Sequence, residues 1–170
     1  MDHTAQVEGI AVGVGPDGAG VPAVVLAARD EYLPIFVTQD QARAIQLGLS
    51  GEPFERPLTH DLLVDVVTEF GGAIDGVRID DLSEGTFFAK LDIVRYVEGE
   101  SEKFVFDARP SDAVAVAVRA DCGITVSDTV LDAAGRPPSE VDFDPEDGGQ
   151  GGPGGPHLDD PDEGDWSGFR

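Results

Sequence analysis

The sequence is poor in cysteine and in long apolar runs, and both scarcities exclude classes of protein. Its one cysteine, Cys122, excludes an intramolecular disulfide and every cysteine-based zinc cluster, and it is compatible with a reducing cytoplasm. The N-terminus has no apolar run of signal-peptide length, and no run of 18 apolar residues occurs anywhere. We therefore expect a soluble, cytoplasmic protein that has no membrane partner.

Basic residues are scarce as well. The chain has 34 acidic residues against 11 basic ones, only two lysines, no asparagine, and a net charge of -23. Such an acidic surface indicates either a basic partner or adaptation to molar salt, in which the Debye length falls to about 3 Å and self-repulsion is screened. Because the acids are scattered along the whole chain, we favour the halophilic interpretation.

The length and composition favour one folded domain followed by a tail. With 170 residues, 41% of them apolar, the chain can bury one core without disulfides or metal. From residue 139 the composition changes to glycine, proline and aspartate, and residues 139–170 carry -9 of the net charge, which leaves -14 on the rest. We expect a domain over residues 1–138 and a disordered acidic tail over residues 139–170.

Short apolar runs separated by turn residues predict the strands. The runs at 4–14 and 21–28 flank a Gly-Pro-Asp-Gly turn and predict a hairpin. Further strands are predicted at 33–37, 73–80, 86–97, 103–108 and 124–126. Pro34 places the third strand at an edge or at a strand start, because proline cannot donate to a sheet ladder.

Capping residues predict about four helices. Thr38 and Gln41 form a capping box that begins the first helix, and Gly51 ends it. Ser127 is suited to cap the last helix, which Gly135 ends. Together with the strands, these helices predict an α+β fold with a mixed, largely antiparallel sheet.

The two central helices share one kind of opening. Arg-Pro pairs begin at Arg56 and at Arg109, each followed by a hydroxyl residue suited to the N-cap, Thr59 or Ser111, and by an acid in the first turn. A helix N-terminus presents unpaired N–H groups and a partial positive charge, which favour anions. We also expect one apolar face of the first of these helices to be buried: Leu62, Leu63, Val66, Val67 and Phe70.

Both openings carry side chains suited to binding and cleaving a phosphodiester. Arg56, Arg109, Thr59 and Ser111 are candidates for phosphate binding, because a guanidinium held near a helix start suits bidentate anion capture. His60 is the candidate general acid or base, since the other two histidines lie in the N-terminus and in the tail. The alternatives are arginines that pair with a neighbouring acid to pin a loop, and a surface histidine at a helix start.

Three acids in the same openings could hold a divalent cation. Asp61, Asp107 and Asp112 provide the carboxylate oxygens that Mg²⁺ or Mn²⁺ prefers, and Asp107 and Asp112 are also catalytic candidates beside His60. The alternative for Asp61 and Asp112 is electrostatic, because acids are favoured in any first helical turn. Asp107 ends a strand just before Arg109, so that it either pairs with this arginine or binds a ligand.

Three sequence blocks resemble the bifunctional nuclease domain family: residues 33–45, 56–62 and 107–113. The order and spacing of these blocks are specific, and the similarity extends over roughly residues 4–135. The resemblance implies hydrolysis of phosphodiester bonds in RNA and DNA, with a nucleic acid as partner. The competing hypothesis is a non-catalytic binding or assembly module. In it the same arginines and acids lock loops or the interface of a homo-oligomer, or the Arg-Pro helix openings bind a small anion.

The nuclease hypothesis makes a geometric prediction. The helices that start near Thr59 and Ser111 should point their N-termini toward a common cleft. Five side chains should then be able to share a ligand or a network of charge pairs: Arg56, His60, Asp107, Arg109 and Asp112. The alternative is that each helix start is closed separately by its own neighbours.

Overall fold

The computed structural model describes residues 1–14, 18–53 and 55–141, so that most of the predicted tail lies outside the described residues. The elements are, in chain order, β1 (Asp2–Val14), β2 (Gly20–Ala28), β3 (Glu31–Phe36), α1 (Gln39–Ser50), α2 (Thr59–Glu69), β4 (Gly72–Ser83), β5 (Thr86–Val97), β6 (Glu100–Ala108), α3 (Pro110–Ala120), β7 (Gly123–Ser127) and α4 (Asp128–Ala134). A short 3-10 helix follows at Pro138–Glu140. The predicted α+β class, with four helices and a mixed sheet in one domain, is confirmed.

The seven strands form one sheet in the order β3-β2-β1-β7-β4-β5-β6. Every neighbouring pair is antiparallel except β4 and β7, which are parallel. The long strand β1 joins the two halves of the sheet, because its first residues pair with β7 and the rest pair with β2, with a register shift between Val7 and Gly9. The edges are β3, which contains Pro34 as predicted, and β6.

Local capping rules account for the start of α1 and for its end. The Thr38 hydroxyl accepts from the Gln41 N–H, and the Gln41 side chain accepts from the Thr38 N–H at 2.8 Å, which completes the predicted capping box. Gly51 ends the helix in the left-handed conformation, at a φ of 63°. At α4 the Ser127 hydroxyl accepts from the Val130 N–H, as its predicted cap role requires.

Helix α3 lies at the centre of the helical layer. It packs between α1 and α2 and against strands β4, β5 and β7. Six of the seven residues from Ser111 to Ala117 are buried, all but Asp112, and five of the six are alanine or valine. Small side chains let the neighbouring helices and the sheet approach α3 closely, so the start of α3 is held firmly in place.

The predicted buried face of α2 is wrong. No residue of α2 is fully buried, and Leu62, Leu63, Val66 and Phe70 are exposed, with Phe70 80% exposed. Val67, the one member of the predicted face that is partly buried, and Val64 pack partly against the rest of the protein. Periodicity identified the apolar residues correctly, but α2 is rotated so that most of its apolar stripe faces outward.

Both predicted N-caps of the central helices are wrong by one or two positions. Leu58 is the N-cap residue of α2 and Arg109 that of α3, so that Thr59 and Ser111 lie inside their helices. At α2, the Asp61 carboxylate accepts from the Leu58 N–H at 2.9 Å and thereby satisfies one free donor. At α3, no side chain caps the helix, and proline at the first helical position, which has no N–H, reduces the number of free donors by one. Among the described residues, no helix is long and apolar enough to cross a membrane.

Candidate functional site

The starts of α2 and α3 meet at a hydrogen-bonded network of three side chains. His60 Nε2, on α2, lies 3.1 Å from Asp112 Oδ1, on α3. Arg109 Nε donates to the other oxygen of Asp112 at 2.6 Å. The predicted common cleft therefore brings together three of its five residues, although Arg109 also closes its own helix, as the alternative predicted.

Asp112 is ionised in this network. Its partial burial acts to raise its pKa, but the hydrogen bonds from Arg109 and His60 outweigh that effect and hold the pKa below the ordinary value for aspartate. An ionised carboxylate can only accept hydrogen bonds, so His60 Nε2 must carry the proton and donate it. In the neutral imidazole the other nitrogen, Nδ1, is then the basic one.

Arg109 presents a cation at the start of α3. Its side chain is 70% exposed, and the hydrogen bond to Asp112 raises the pKa of its guanidinium. Because only Nε is used by Asp112, the two terminal amino groups remain available in the described structure. The same residue is the N-cap of α3, so the guanidinium lies beside the free N–H groups of a helix start. This arrangement can bind a phosphate.

Asp61 is bound to a buried arginine. Arg119, at the end of α3, donates from Nε to Asp61 Oδ1 at 2.6 Å, and its side chain is only 6% exposed. The same guanidinium donates to the Ala115 carbonyl at 2.7 Å. Since Asp61 also accepts from Leu58, both of its carboxylate oxygens are occupied. The ion pair fixes α2 to α3 and orients His60, the preceding residue.

Asp107 pairs with a lysine of the neighbouring strand. Lys90 Nζ, on β5, lies 2.6 Å from Asp107 Oδ1, and the two residues are directly opposite in the β5–β6 ladder. Their hydrogen bond raises the pKa of Lys90. The expected alternatives for Asp107 were a pair with Arg109 or a bound ligand, and the cross-strand partner is neither of these.

The three acids do not form one metal centre in this arrangement. Asp61 is bound to Arg119, Asp107 to Lys90, and Asp112 to Arg109 and His60. Across the described part of the chain, no three histidine, cysteine, aspartate or glutamate side chains are grouped as metal ligands. The residues present therefore do not fit a Mg²⁺ or Mn²⁺ ion as they stand, and the predicted metal role of these acids stays a prediction.

The remaining predicted phosphate ligands differ in exposure. Arg56 and Thr59 are exposed, and the side chain of Arg56 makes no ion pair or hydrogen bond with the described residues. Ser111 is only 6% exposed, in the first turn of α3. Arg56 and Thr59 can therefore reach an anion from solvent, whereas Ser111 packs into the domain.

An apolar cavity adjoins the network. It has a volume of about 340 Å³, and both Asp112 and Asp107, which is a fourth member of the five residues predicted to share the cleft, contribute to its wall. The other wall residues come from α2, α3, β5 and β6 and include Leu63, Val67, Leu91, Ile93, Phe106 and Val116. The charged network therefore adjoins a cavity whose wall is apolar apart from these two aspartates.

One histidine was wrongly dismissed. His3, placed by the sequence in an unfixed terminus, lies in β1 and hydrogen-bonds to Asp128, which also pairs with the N-terminal ammonium and Arg29. The bond from His3, followed by that from the ammonium, lowers the pKa of Asp128 to about 2. Because this cluster depends on the pairing of β1 with β7, no local sequence signal could have revealed it.

Comparison with known proteins shows to which family the chain is similar. A family model described as the bifunctional nuclease domain matches residues 24–139. The match includes the network residues and both helix openings, but not His3.

The similar curated proteins come from bacteria and plants. An uncharacterised protein of Mycobacterium tuberculosis is 44% identical over 109 residues, which cover 64% of this chain and 62% of that protein. Bifunctional nuclease 1 of Arabidopsis thaliana is 31% identical over 115 residues, and bifunctional nuclease 2 of Oryza sativa is 29% identical over 114. These matches cover 66% and 65% of this chain but only 35% of each plant protein.

Proposed function

Because the chain belongs to the bifunctional nuclease domain family, we propose that it hydrolyses phosphodiester bonds in RNA, DNA or both. The observation that carries the proposal is the His60–Asp112–Arg109 network at the meeting point of two helix starts. It combines an oriented imidazole with an exposed guanidinium, which are a proton acceptor and a phosphate ligand.

His60 has the role of general base. A water molecule gives its proton to Nδ1 while its oxygen forms a bond to phosphorus, and the P–O bond to the leaving sugar oxygen breaks. Asp112 accepts from Nε2 throughout and stabilises the imidazolium that forms, as a carboxylate does beside any catalytic histidine. The imidazolium then returns the proton to the leaving oxygen.

Arg109 binds the non-bridging oxygens of the phosphate. Its terminal amino groups face solvent, and the free N–H groups of the α3 start add partial positive charge. Arg56 and Thr59, at the start of α2, extend the phosphate-binding surface to a neighbouring nucleotide. The net charge of -23 opposes a polyanion, so we expect binding only where salt screens that repulsion.

Cleavage of labelled RNA and DNA by the purified full chain tests the proposal. Reactions contain molar KCl with Mg²⁺, with Mn²⁺ or with a chelator, since the family resemblance leaves a divalent ion as a proposal. His60→Gln should lower the cleavage rate by about 100-fold or more, the usual size of a general-base contribution. His3→Gln is the matched control, because His3 hydrogen-bonds to Asp128 in a different cluster and should not affect the rate.

Two results would refute the assignment. Equal cleavage by wild type and His60→Gln would exclude the histidine as the base. Wild-type cleavage no greater than that of the double variant His60→Gln, Asp112→Asn would exclude catalysis by this network. Asp107→Ala tests the remaining catalytic candidate. Loss of cleavage in this variant would assign a catalytic role to Asp107, which pairs with Lys90.

A second candidate function is a non-catalytic binding or assembly module. The observation that favours it is that all three candidate acids are engaged with basic side chains, and that the buried Arg119–Asp61 pair fixes α2 to α3. Under this hypothesis the ion pairs serve only to hold the helices. Wild type and His60→Gln would then bind a labelled oligonucleotide with the same affinity, or assemble to the same extent. Neither would cleave the oligonucleotide in any ionic condition.

A further inference from the structure

The network at the helix starts and the apolar cavity beside it form one continuous groove. On α2, the residues His60, Leu63 and Val67 are spaced by three and four positions, so they lie on one face of the helix. On α3, Asp112 and Val116 share a face in the same way. His60 and Asp112 hydrogen-bond to each other at the helix starts, and the other three residues line the cavity about one to two turns further along. The groove is therefore polar at one end and apolar beyond it.

The cavity is a gap between α2 and the sheet. Helix α2 packs chiefly on α3 and β4, whereas the sheet residues of the wall, Leu91, Ile93 and Phe106, belong to β5 and β6. Phe106 is directly opposite Leu91 in the β5–β6 ladder, so both side chains point to the same face of the sheet. Leu63 of α2 is 41% exposed and Phe106 is 51% exposed. Both walls of the gap can therefore be reached from solvent.

Among the described wall residues, no polar side chain is directed into the cavity without a partner. Asp112 is engaged by the other two residues of the network. Asp107 follows Phe106 on β6, and consecutive residues of a strand point to opposite faces, so its carboxylate is directed to Lys90 on the other face of the sheet. All other wall side chains are hydrocarbon. The cavity can therefore hold an apolar body, but it lacks the groups to read a polar edge.

A nucleotide has the same two parts as the groove. Its phosphate is anionic, and its base has two flat π-faces that stack on aromatic rings. The described wall of the cavity contains two aspartates and no basic residue, so it disfavours a phosphate. Arg109, at the polar end, is exposed and attracts one. Charge thus fixes the orientation, with the phosphate at Arg109 and the base in the cavity.

We propose that this cavity, which we call the base slot, binds one unpaired nucleobase next to the phosphodiester that is cleaved. The inference rests on the proposed function, because that function places the phosphate at Arg109. Leu63 and Phe106 hold the base by apolar contact, so the slot accepts every base and does not depend on hydrogen bonds to its edge. A paired base has to leave its stack before it can enter, so the preferred substrate is single-stranded at this position.

The base slot supplies affinity that salt does not remove. Phosphate contacts weaken as salt rises, because each contact releases counterions from the nucleic acid. The chain carries -23, so a polyanion approaches it only where salt screens the repulsion, and that same salt weakens the contact at Arg109. Apolar contact with a base is not weakened by this screening. The slot therefore lets an acidic protein hold a nucleic acid in molar salt.

Binding of modified thymidine decamers to the full chain tests the proposal. Each decamer carries a fluorophore and one central phosphodiester, with methylphosphonates at the other linkages, so that the bases on either side of one scissile bond can be varied. These bases are thymine, none (an abasic sugar), or difluorotoluene, an apolar isostere of thymine. Fluorescence anisotropy in 1 M KCl gives the dissociation constants, and electrophoresis of the same samples gives cleavage.

The three decamers should separate apolar contact from hydrogen bonding. The abasic decamer should bind about 5-fold to 100-fold more weakly than the thymidine decamer, the usual range for the loss of one base–aromatic stack. The isostere should bind at least as tightly as thymine, because an apolar slot leaves the polar edge of thymine without partners. A duplex of the thymidine decamer with its complement should bind more weakly than the single strand. The ratio of the abasic to the thymidine dissociation constant should be the same in 1 M and 2 M KCl.

Two matched pairs of variants locate the binding site. Leu63→Glu places a carboxylate in the wall, whereas Leu62→Glu makes the same change on the neighbouring exposed residue, which is not among the described wall residues. Phe106→Ala removes the ring of the wall, and Phe104→Ala removes the ring two residues earlier, which lies over Arg95, 5.6 Å from its guanidinium carbon. The ratio of the two dissociation constants should fall toward one in Leu63→Glu and Phe106→Ala. It should stay at the wild-type value in the two controls, and thermal melts confirm that all four variants are folded.

Four results would overturn the base slot. They are equal binding of the thymidine and abasic decamers by wild type, binding of the isostere as weak as that of the abasic decamer, equal binding of duplex and single strand, and a ratio that both Leu63→Glu and Phe106→Ala leave unchanged. The second of these would mean that hydrogen bonds read the edge of the base.

The same samples distinguish failure of the slot from failure of the proposed function. Base-dependent binding without cleavage would support the slot and refute the nuclease function. Cleavage of the thymidine and abasic decamers with equal affinity and rate would support the nuclease function and overturn the slot.

Discussion

The ion pair between Asp61 and Arg119 should be the polar interaction whose loss most destabilises the candidate site. Arg119 is 6% exposed, donates to Asp61 at 2.6 Å, and has no carboxylate other than Asp61 within bonding distance in the described residues. Asp61→Asn keeps the shape and one carbonyl oxygen that can accept from the guanidinium, but it removes the negative charge and leaves the Leu58 N–H without its acceptor. The variant therefore leaves a buried cation without a counter-charge.

The magnitude follows from the burial of the two partners. Breaking a fully buried pair costs about 3–5 kcal/mol, but the Asp61 side chain is 29% exposed and water can partly replace its charge. We therefore expect Asp61→Asn to lower the free energy of unfolding by about 2–3 kcal/mol. For a chain of this length, that loss corresponds to roughly 5–10 °C in Tm.

Urea unfolding and thermal melts of the full chain in 1 M KCl measure this loss. Asp65→Asn is the matched control, because it removes the same charge one turn further along α2 from an exposed side chain, and it should change stability by less than about 0.5 kcal/mol. Both variants lose one negative charge, so comparison with the control also corrects for the reduced self-repulsion that follows the removal of any acidic residue. Equal stability of the two variants would refute the reasoning, and so would an Asp61→Asn variant that is as stable as wild type.

Four further outcomes are expected. Gly48→Ala should destabilise the protein by about 1–3 kcal/mol in urea unfolding despite its better helix propensity, because the new Cβ would lie 2.5 Å from a methyl group of Val118 and 2.6 Å from the Arg119 guanidinium. Asp128 contributes stability that is present above pH 4 and is lost as the pH falls toward about 2, so melts of wild type and Asp128→Asn should converge over that interval. If the acidic composition is an adaptation to salt, Tm should fall below about 0.5 M KCl, and a flat profile would contradict this. Deletion of residues 142–170 should leave Tm unchanged within error, since that segment lacks a core-forming pattern.

Signals confined to a few neighbouring residues were sufficient for much of the fold. The capping box of Thr38 and Gln41 and the helix end at Gly51 depend only on contacts within one or two turns, and the structure confirms both. The strands were predicted because alternating apolar runs are themselves local. The meeting of His60 with Asp112 was predicted from the similarity of two helix openings, and the structure brings these residues together.

Features that depend on distant partners could not be predicted in the same way. Periodicity shows that α2 has an apolar stripe but not whether another element covers it, and the pair with Arg119 orients the helix so that most of the stripe is exposed. The partner of Asp107 depends on the register of β5 with β6, and that of His3 on the pairing of β1 with β7. Both partnerships join residues far apart in sequence.

The proposed general base belongs to α2, which, of the four described α-helices, is the one without a fully buried side chain. Such an element can open locally at a free energy below that of global unfolding, and its amides should exchange with deuterium sooner than those of α3. His60 would leave Asp112 each time α2 opens, so the network would be lost at a lower temperature than the fold. A ligand that binds only the closed helix would oppose this opening by mass action, which makes the integrity of the network dependent on the concentration of that ligand.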